Sequence, residues 1–136
     1  MSDVTIEKLN NIKNCIDRIE TKKPFTSDQL KIDFDLQDII SVNLQRMIQA
    51  SVDLATHICA QKNLRTPKDM ADAFFVLKEN GLLDENLTNH LAKSVGLRNV
   101  LVHEYDGIDW EIVFHVTETR LDVFKKYIAT LLKLQL

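Results

Sequence analysis

The sequence predicts an all-α bundle of five helices in one domain, and three observations carry that expectation. Only three glycines and two prolines punctuate 136 residues, so the elements are long. Hydrophobic residues make up 45% of the chain, enough for a packed core and too many for disorder. They recur at three- and four-residue spacing, the period of a helix with one buried face. A chain of this length buries roughly two thirds of the surface that its unfolded form exposes, so it needs no disulfide or metal to hold it. No repeat, linker or low-complexity tract divides residues 1–136.

Residues 3–22 form the first helix, with Leu9, Ile12, Ile16 and Ile19 on one face and Lys22-Lys23-Pro24 as the stop. "KKPFTSD" is a connection in which Ser27 or Asp28 caps the next helix. That second helix runs from about 28 to 62 without proline or glycine. Its apolar residues Leu36, Ile40, Leu44, Met47, Ile48, Leu54 and Ile58 are joined by Ile39, Val42 and Val52 off the main stripe, so it packs on two sides. The third helix lies in "RTPKDMADAFFVLKENG", with a threonine cap, Pro67 at the first turn and Gly81 at the C-terminal end. A fourth spans roughly 84–105 and stops at Asp106-Gly107, and the last runs from about Asp109 to Leu134 with Val113, Val116, Phe124, Ile128 and Leu131 facing inward.

A formal net charge of −3 argues against wrapping nucleic acid by charge alone, so any such activity must be local. Cys15 and Cys59 are the only cysteines, and the N-terminus "MSDVTIEKLN" has no signal-peptide pattern, which places the protein in a reducing cytoplasm. No run approaches the ~18 apolar residues of a membrane span. His57, Cys59, His115 and Cys15 lack paired metal-ligand spacing, and neither metal nor cofactor is expected. Lys62, Arg65 and Lys68, and Lys125-Lys126, form small basic clusters: solvated faces in the bland reading, guides for an RNA strand in the functional one.

The chemistry concentrates in "RNVLVHEYDG", residues 98–107. With about 100° per residue on an ideal helix, Asn99 and His103 share one face and Arg98 and Tyr105 a neighbouring one. An imidazole can take or give a proton near neutral pH, and a guanidinium offers a planar fork to phosphate. Together they suit metal-independent RNA cleavage, in which a base deprotonates a ribose 2′-hydroxyl and a cation stabilises charge on the attacked phosphate. Arg98 and His103 point about 140° apart, so one helix alone does not close around a phosphate. Two copies across a twofold axis would bring both pairs to one groove. The bland alternative is a helix terminus whose side chains satisfy the last carbonyls.

Arg98-Asn99, then His103-Glu104-Tyr105, resembles the R-polar-xxx-H-x-Y signature of HEPN-domain proteins, specifically the HepT toxins encoded beside a minimal nucleotidyltransferase antitoxin of the MntA type. "NLQRMIQASVDLATHI", residues 43–58, is similar to the second-helix pattern of the same family, so the likeness covers most of the chain. The resemblance implies an α-helical homodimer and a toxin ribonuclease acting on messenger or transfer RNA. It makes His103 the catalytic acid or base, Arg98 the phosphate holder, Asn99 a supporting polar residue, and Tyr105 the tyrosine that the antitoxin adenylylates. Arg46 and Asp53 match the second-helix pattern but receive no role. An alternative of another class is a non-catalytic partner of a nucleotidyltransferase whose polar arc holds a nucleotide phosphate. A third is a purely structural helical dimer.

Overall fold

The structure, a computed structural model, describes residues 1–104 and 106–136. These form seven helices and no strand: α1 (Asp3–Thr21), α2 (Ser27–Ile32), α3 (Phe34–Gln61), α4 (Asp72–Glu79), α5 (Glu85–His103), α6 (Trp110–Thr119) and α7 (Leu121–Leu134). The all-helical expectation holds, and the count of five is corrected, because two predicted helices are each broken once.

The first break is at Asp33. Its backbone is extended, with φ −94° and ψ 101°, its N–H still donates to the Gln29 carbonyl of α2, and its Oδ1 accepts the Leu36 N–H at 3.0 Å. One residue thus ends α2 and caps α3, as a short carboxylate that competes with the helical ladder can. The Gln37 side chain donates to the Leu30 and Lys31 carbonyls that the break leaves open. The cap of α2 is Thr26 rather than Ser27 or Asp28: its hydroxyl accepts the Gln29 N–H while the Gln29 side chain accepts the Thr26 N–H.

The second break is at Arg120, with φ −111° and ψ −7°. Thr117 and Thr119 bond back to the Phe114 and His115 carbonyls, which loosens the end of α6. The Lys23 ammonium takes the Thr117 carbonyl, the acceptor that a continuous helix would have offered to Leu121. The third predicted helix starts at Asp72, well past Pro67. Asp69 accepts the Asp72 N–H and Asp72 accepts the Lys68 N–H, so carboxylates hold residues 65–71 as a turn. Gly81 adopts φ +75° and closes α4 as expected, with the Leu82 N–H returning to the Leu77 carbonyl.

The long α3 is the central element, packed by α1 on one side and by α4 and α5 on the other, with α7 lying against α1 and α5 and α2 against α6. Leu9, Ile12, Ile16 and Ile19 of α1 meet Ile40, Leu44, Met47, Leu54 and Ile58 of α3 in the buried core. Tyr127 of α7 is fully buried, stands edge-on to Phe74 with ring centroids 5.8 Å apart, and donates its hydroxyl proton to the Ser51 carbonyl at 2.9 Å. Cys15 and Cys59 are buried free thiols, and burial pushes both up from the ordinary cysteine pKa. Among the described residues, no helix is long and apolar enough to cross a membrane.

Candidate active site

The helix α5 carries the site from the core to the surface. Asp84 caps its start by accepting the Leu87 N–H at 2.7 Å, and Leu87, Leu91, Val95 and Leu101 are buried in the bundle. Beyond Val95 the helix projects past much of its packing. Arg98 is half-buried, whereas Asn99, Val100 and His103 are exposed. This follows from the sequence: at about 100° per residue Arg98 falls near the buried face, and Asn99 and His103 fall on the solvent side as an i, i+4 pair.

The Arg98 guanidinium donates from Nη1 to the Asn99 Oδ1 at 3.1 Å. Among the described residues it has no carboxylate within ion-pairing distance, and Asn99 takes one of its five N–H donors. The same bond orients the Asn99 amide, which leaves its NH₂ toward solvent. His103 is the last residue of α5, and Glu104, with φ −124° and ψ 65°, already departs from the helix. The helix therefore ends two residues before the predicted 105, and the i, i+7 geometry drawn from Arg98 stops at His103. Tyr105, the predicted modification site, lies outside the described residues.

Of the terminus reading, the bonds to the last carbonyls of α5 are missing among the described residues, since neither Arg98 nor His103 makes one. His103 does stand in the last turn, where a basic side chain meets the helix dipole. Beside the site, Gly96, Leu97, Val100, Ile108, Ile112 and Val113 line a shallow apolar cleft of about 380 Å³, in which Val100 is 36% and Ile112 56% exposed. Arg46 and Asp53 are placed elsewhere, on the side of α3 that faces α1. There Asp53 pairs with Lys8 at 3.6 Å and accepts from Gln49 at 2.8 Å.

In each of the two sequence clusters of positive charge one cation is engaged. Arg65 is tied to Asp72 and Glu79, and Lys125 to Glu20 at 2.6 Å. Lys126 instead lines a cleft with Arg120 and Lys133 on the α5 side of α7. Sequence spacing does not reveal that grouping, because its other wall comes from residues 84–90, more than a helix earlier in the chain.

The geometry has close relatives. The mRNA nuclease HepT of Shewanella oneidensis is 41% identical over 128 residues, covering 94% of this chain and 96% of that one. The tRNA nuclease HepT of Aphanizomenon flos-aquae is 31% identical over 121 residues, covering 89% and 82%. The fold superimposes on the tri-AMPylated Shewanella oneidensis HEPN toxin, solved in complex with an MNT antitoxin, with a TM-score of 0.89 at 40% identity over 96% of this chain and 98% of that one. The profile of the family described as HepT-like, Ribonuclease HepT-like, matches residues 12–131, and the chain belongs to that family.

Proposed function

We propose that this protein is the toxin ribonuclease of a toxin–antitoxin pair, cutting RNA without a metal and silenced by adenylylation of Tyr105. The observation that carries the reading is an exposed imidazole and an arginine without a carboxylate partner among the described residues, both in the last turns of α5, in a chain 41% identical to a named mRNA nuclease. In the reaction, His103 accepts the proton of a ribose 2′-hydroxyl and the freed oxygen attacks the adjoining phosphorus. The bond to the 5′-oxygen breaks, leaving a 2′,3′-cyclic phosphate, and a second imidazolium returns a proton to the departing oxygen. Arg98 holds the non-bridging oxygens, where charge builds, and Asn99 steadies the guanidinium.

One chain supplies one imidazole to a reaction that uses an acid and a base, and the homodimer provides the second. The exposed Val100 and Ile112 beside the site offer the apolar surface that a twofold contact would cover. Adenylylation joins the Tyr105 phenol oxygen to the α-phosphorus of ATP with release of pyrophosphate. The new phosphodiester carries negative charge into a site built to hold phosphate. The likeness to a tri-AMPylated toxin bound to its antitoxin supports this part, and with it a cognate nucleotidyltransferase of the MntA type as partner. A single domain over residues 1–136 working in the cytoplasm completes the reading.

The test is cleavage of RNA by purified protein in chelator, with cyclic-phosphate ends on the products. His103→Ala and Arg98→Ala are each expected to abolish it while the helical spectrum is kept; cleavage that survives the histidine change refutes the role given to it. Co-expression with the nucleotidyltransferase should add AMP to the peptide that holds Tyr105, and Tyr105→Phe should stay unmodified and toxic.

A further inference from the structure

Along the opposite flank of α5 from His103 runs a groove that the reaction described above does not use. Two adjoining cavities, of about 510 and 100 Å³, share His90, Arg120 and Val123. Their α5 wall extends from the Asp84 cap to Leu97, the residue before Arg98, and their other wall is α7 with the end of α6; Met47 and Ile48 of α3 also line the smaller cavity, which is the more apolar of the two. Lys133 lines the part beside Asp84 and Leu87, whereas Arg120 lines the part beside Ser94 and Leu97, so α7 runs antiparallel to α5 and its start lies toward the Arg98 end.

The groove is cationic in a protein whose net charge is −3. Lys93, Arg120, Lys126 and Lys133 line it, with His90 between them, and among the described residues none of these forms an ion pair. Its wall also holds two acids, Asp84, which accepts the Leu87 N–H as the cap of α5, and the exposed Asp122, so four Lys and Arg side chains face two carboxylates and the balance stays positive. Elsewhere Lys8, Lys13, Lys23, Lys31, Arg65, Lys78 and Lys125 are paired with carboxylates, and the other unpaired cations among the described residues do not all share one groove. From Arg120 to Lys133 the α7 wall is roughly 20 Å long, a path that several nucleotides of one strand would cover. The α5 wall is rich in polar side chains, Asn86, His90 and Ser94, rather than in the aromatic platforms that would stack bases.

We propose that this α5–α7 groove is the track for the RNA strand, with Arg120, Lys126 and Lys133 holding successive backbone phosphates and leading the chain to Arg98. The proposal deepens the ribonuclease reading and rests on it. It makes recognition along the groove a matter of backbone charge, so the sequence of the flanking RNA has little influence there.

The experiment measures binding of a labelled single-stranded RNA to full-length protein carrying His103→Ala, so that nothing is cut, across a range of salt. Adding Arg120→Ala, Lys126→Ala and Lys133→Ala should weaken binding about tenfold or more and flatten the salt slope by about 2, since each lost phosphate contact on a single strand removes roughly 0.7. A companion variant with Arg120→Lys, Lys126→Arg and Lys133→Arg should restore both, which separates lost charge from misfolding. In the cleaving protein the triple alanine change should raise KM. Unchanged affinity and slope in a folded triple variant overturn the track, and weakened association with the nucleotidyltransferase alone would assign the groove to that partner. If the protein with His103 intact neither binds nor cuts RNA, the ribonuclease reading falls and the track falls with it; if it cuts RNA while the triple variant binds as before, only the track falls.

Discussion

Arg65, at the approach to α4, and Arg98, near the end of α5, carry the same side chain into opposite circumstances. Arg65 donates from Nε and Nη2 to Glu79 at 2.9 and 2.8 Å, and from Nη1 and Nη2 to Asp72 at 2.7 and 3.0 Å. These bonds raise the arginine further above its ordinary pKa and draw Asp72 down to about 2. Among the described residues the Arg98 side chain makes one hydrogen bond, to the side chain of the next residue, and meets no carboxylate. An arginine whose fork is filled by two acids fastens a turn. One whose fork is open can still take a phosphate. Residue type does not separate the two cases; the acids that the fold brings to each do.

The widest test of that contrast replaces each arginine by alanine. Arg98→Ala should abolish detectable RNA cleavage, a loss in kcat of at least about 10²–10³, the cost typical of removing a donor that meets charge only in the transition state. Its melting temperature should scarcely move, because a partly exposed side chain with few partners contributes little to stability. Arg65→Ala should do the reverse, melting at lower temperature with unaltered cleavage. Comparable activity losses in the two variants would break the comparison.

What was legible in the sequence follows the same division between local and assembled features. The buried stripe Leu9, Ile12, Ile16 and Ile19, the two-sided packing of α3 and the left-handed Gly81 are all written in spacing and residue type, and the structure keeps them. So is the placing of Asn99 and His103 on one face, with Arg98 beside Asn99, since helix geometry fixes both whatever the rest of the chain does. The breaks at Asp33 and Arg120 carry no proline or glycine. The first depends on the amide of Gln37 reaching back across the break from the next helix, and the second on an ammonium from Lys23, 94 residues before Thr117, which only the fold brings there. Pro67 misled for a related reason: the turn after it is held by Asp69, Asp72 and Arg65, and a helix start signal does not reveal that those side chains prefer each other. The cationic groove was hidden because its walls come from α5 and α7.

A smaller effect sharpens the contrast from inside the core. Tyr127 is a polar group used as Arg65 is, with its hydroxyl committed to the Ser51 carbonyl and its ring against Phe74. Burial pushes its phenol pKa up, so it stays neutral and a donor. Tyr127→Phe keeps the ring and loses the bond, and should cost about 1 kcal/mol in denaturant unfolding. RNA cleavage should be kept. A loss of several kcal/mol would mean that the Ser51 carbonyl depends on that hydroxyl more than its place within α3 implies.

The smallest effect is the pH dependence of the Arg65 clamp. Asp72 has an ordinary value of 3.8 and is lowered to about 2 in the folded protein, chiefly by the hydrogen bonds from Arg65 and then by the Lys68 N–H. A depressed carboxylate contributes stability above its unfolded value and loses it as pH falls through the folded one. The difference in melting temperature between the native protein and Asp72→Asn should therefore be constant at neutral pH and shrink between about pH 4 and pH 2. The Arg65 side chain is 39% exposed, so solvent screens the pair and added salt should narrow the gap further. Arg98→Ala should show no such acid-dependent step, because no carboxylate among the described residues is paired with it. A step of equal size there would mean that Arg98 is held by an acid after all, and the open fork on which phosphate binding depends would be lost.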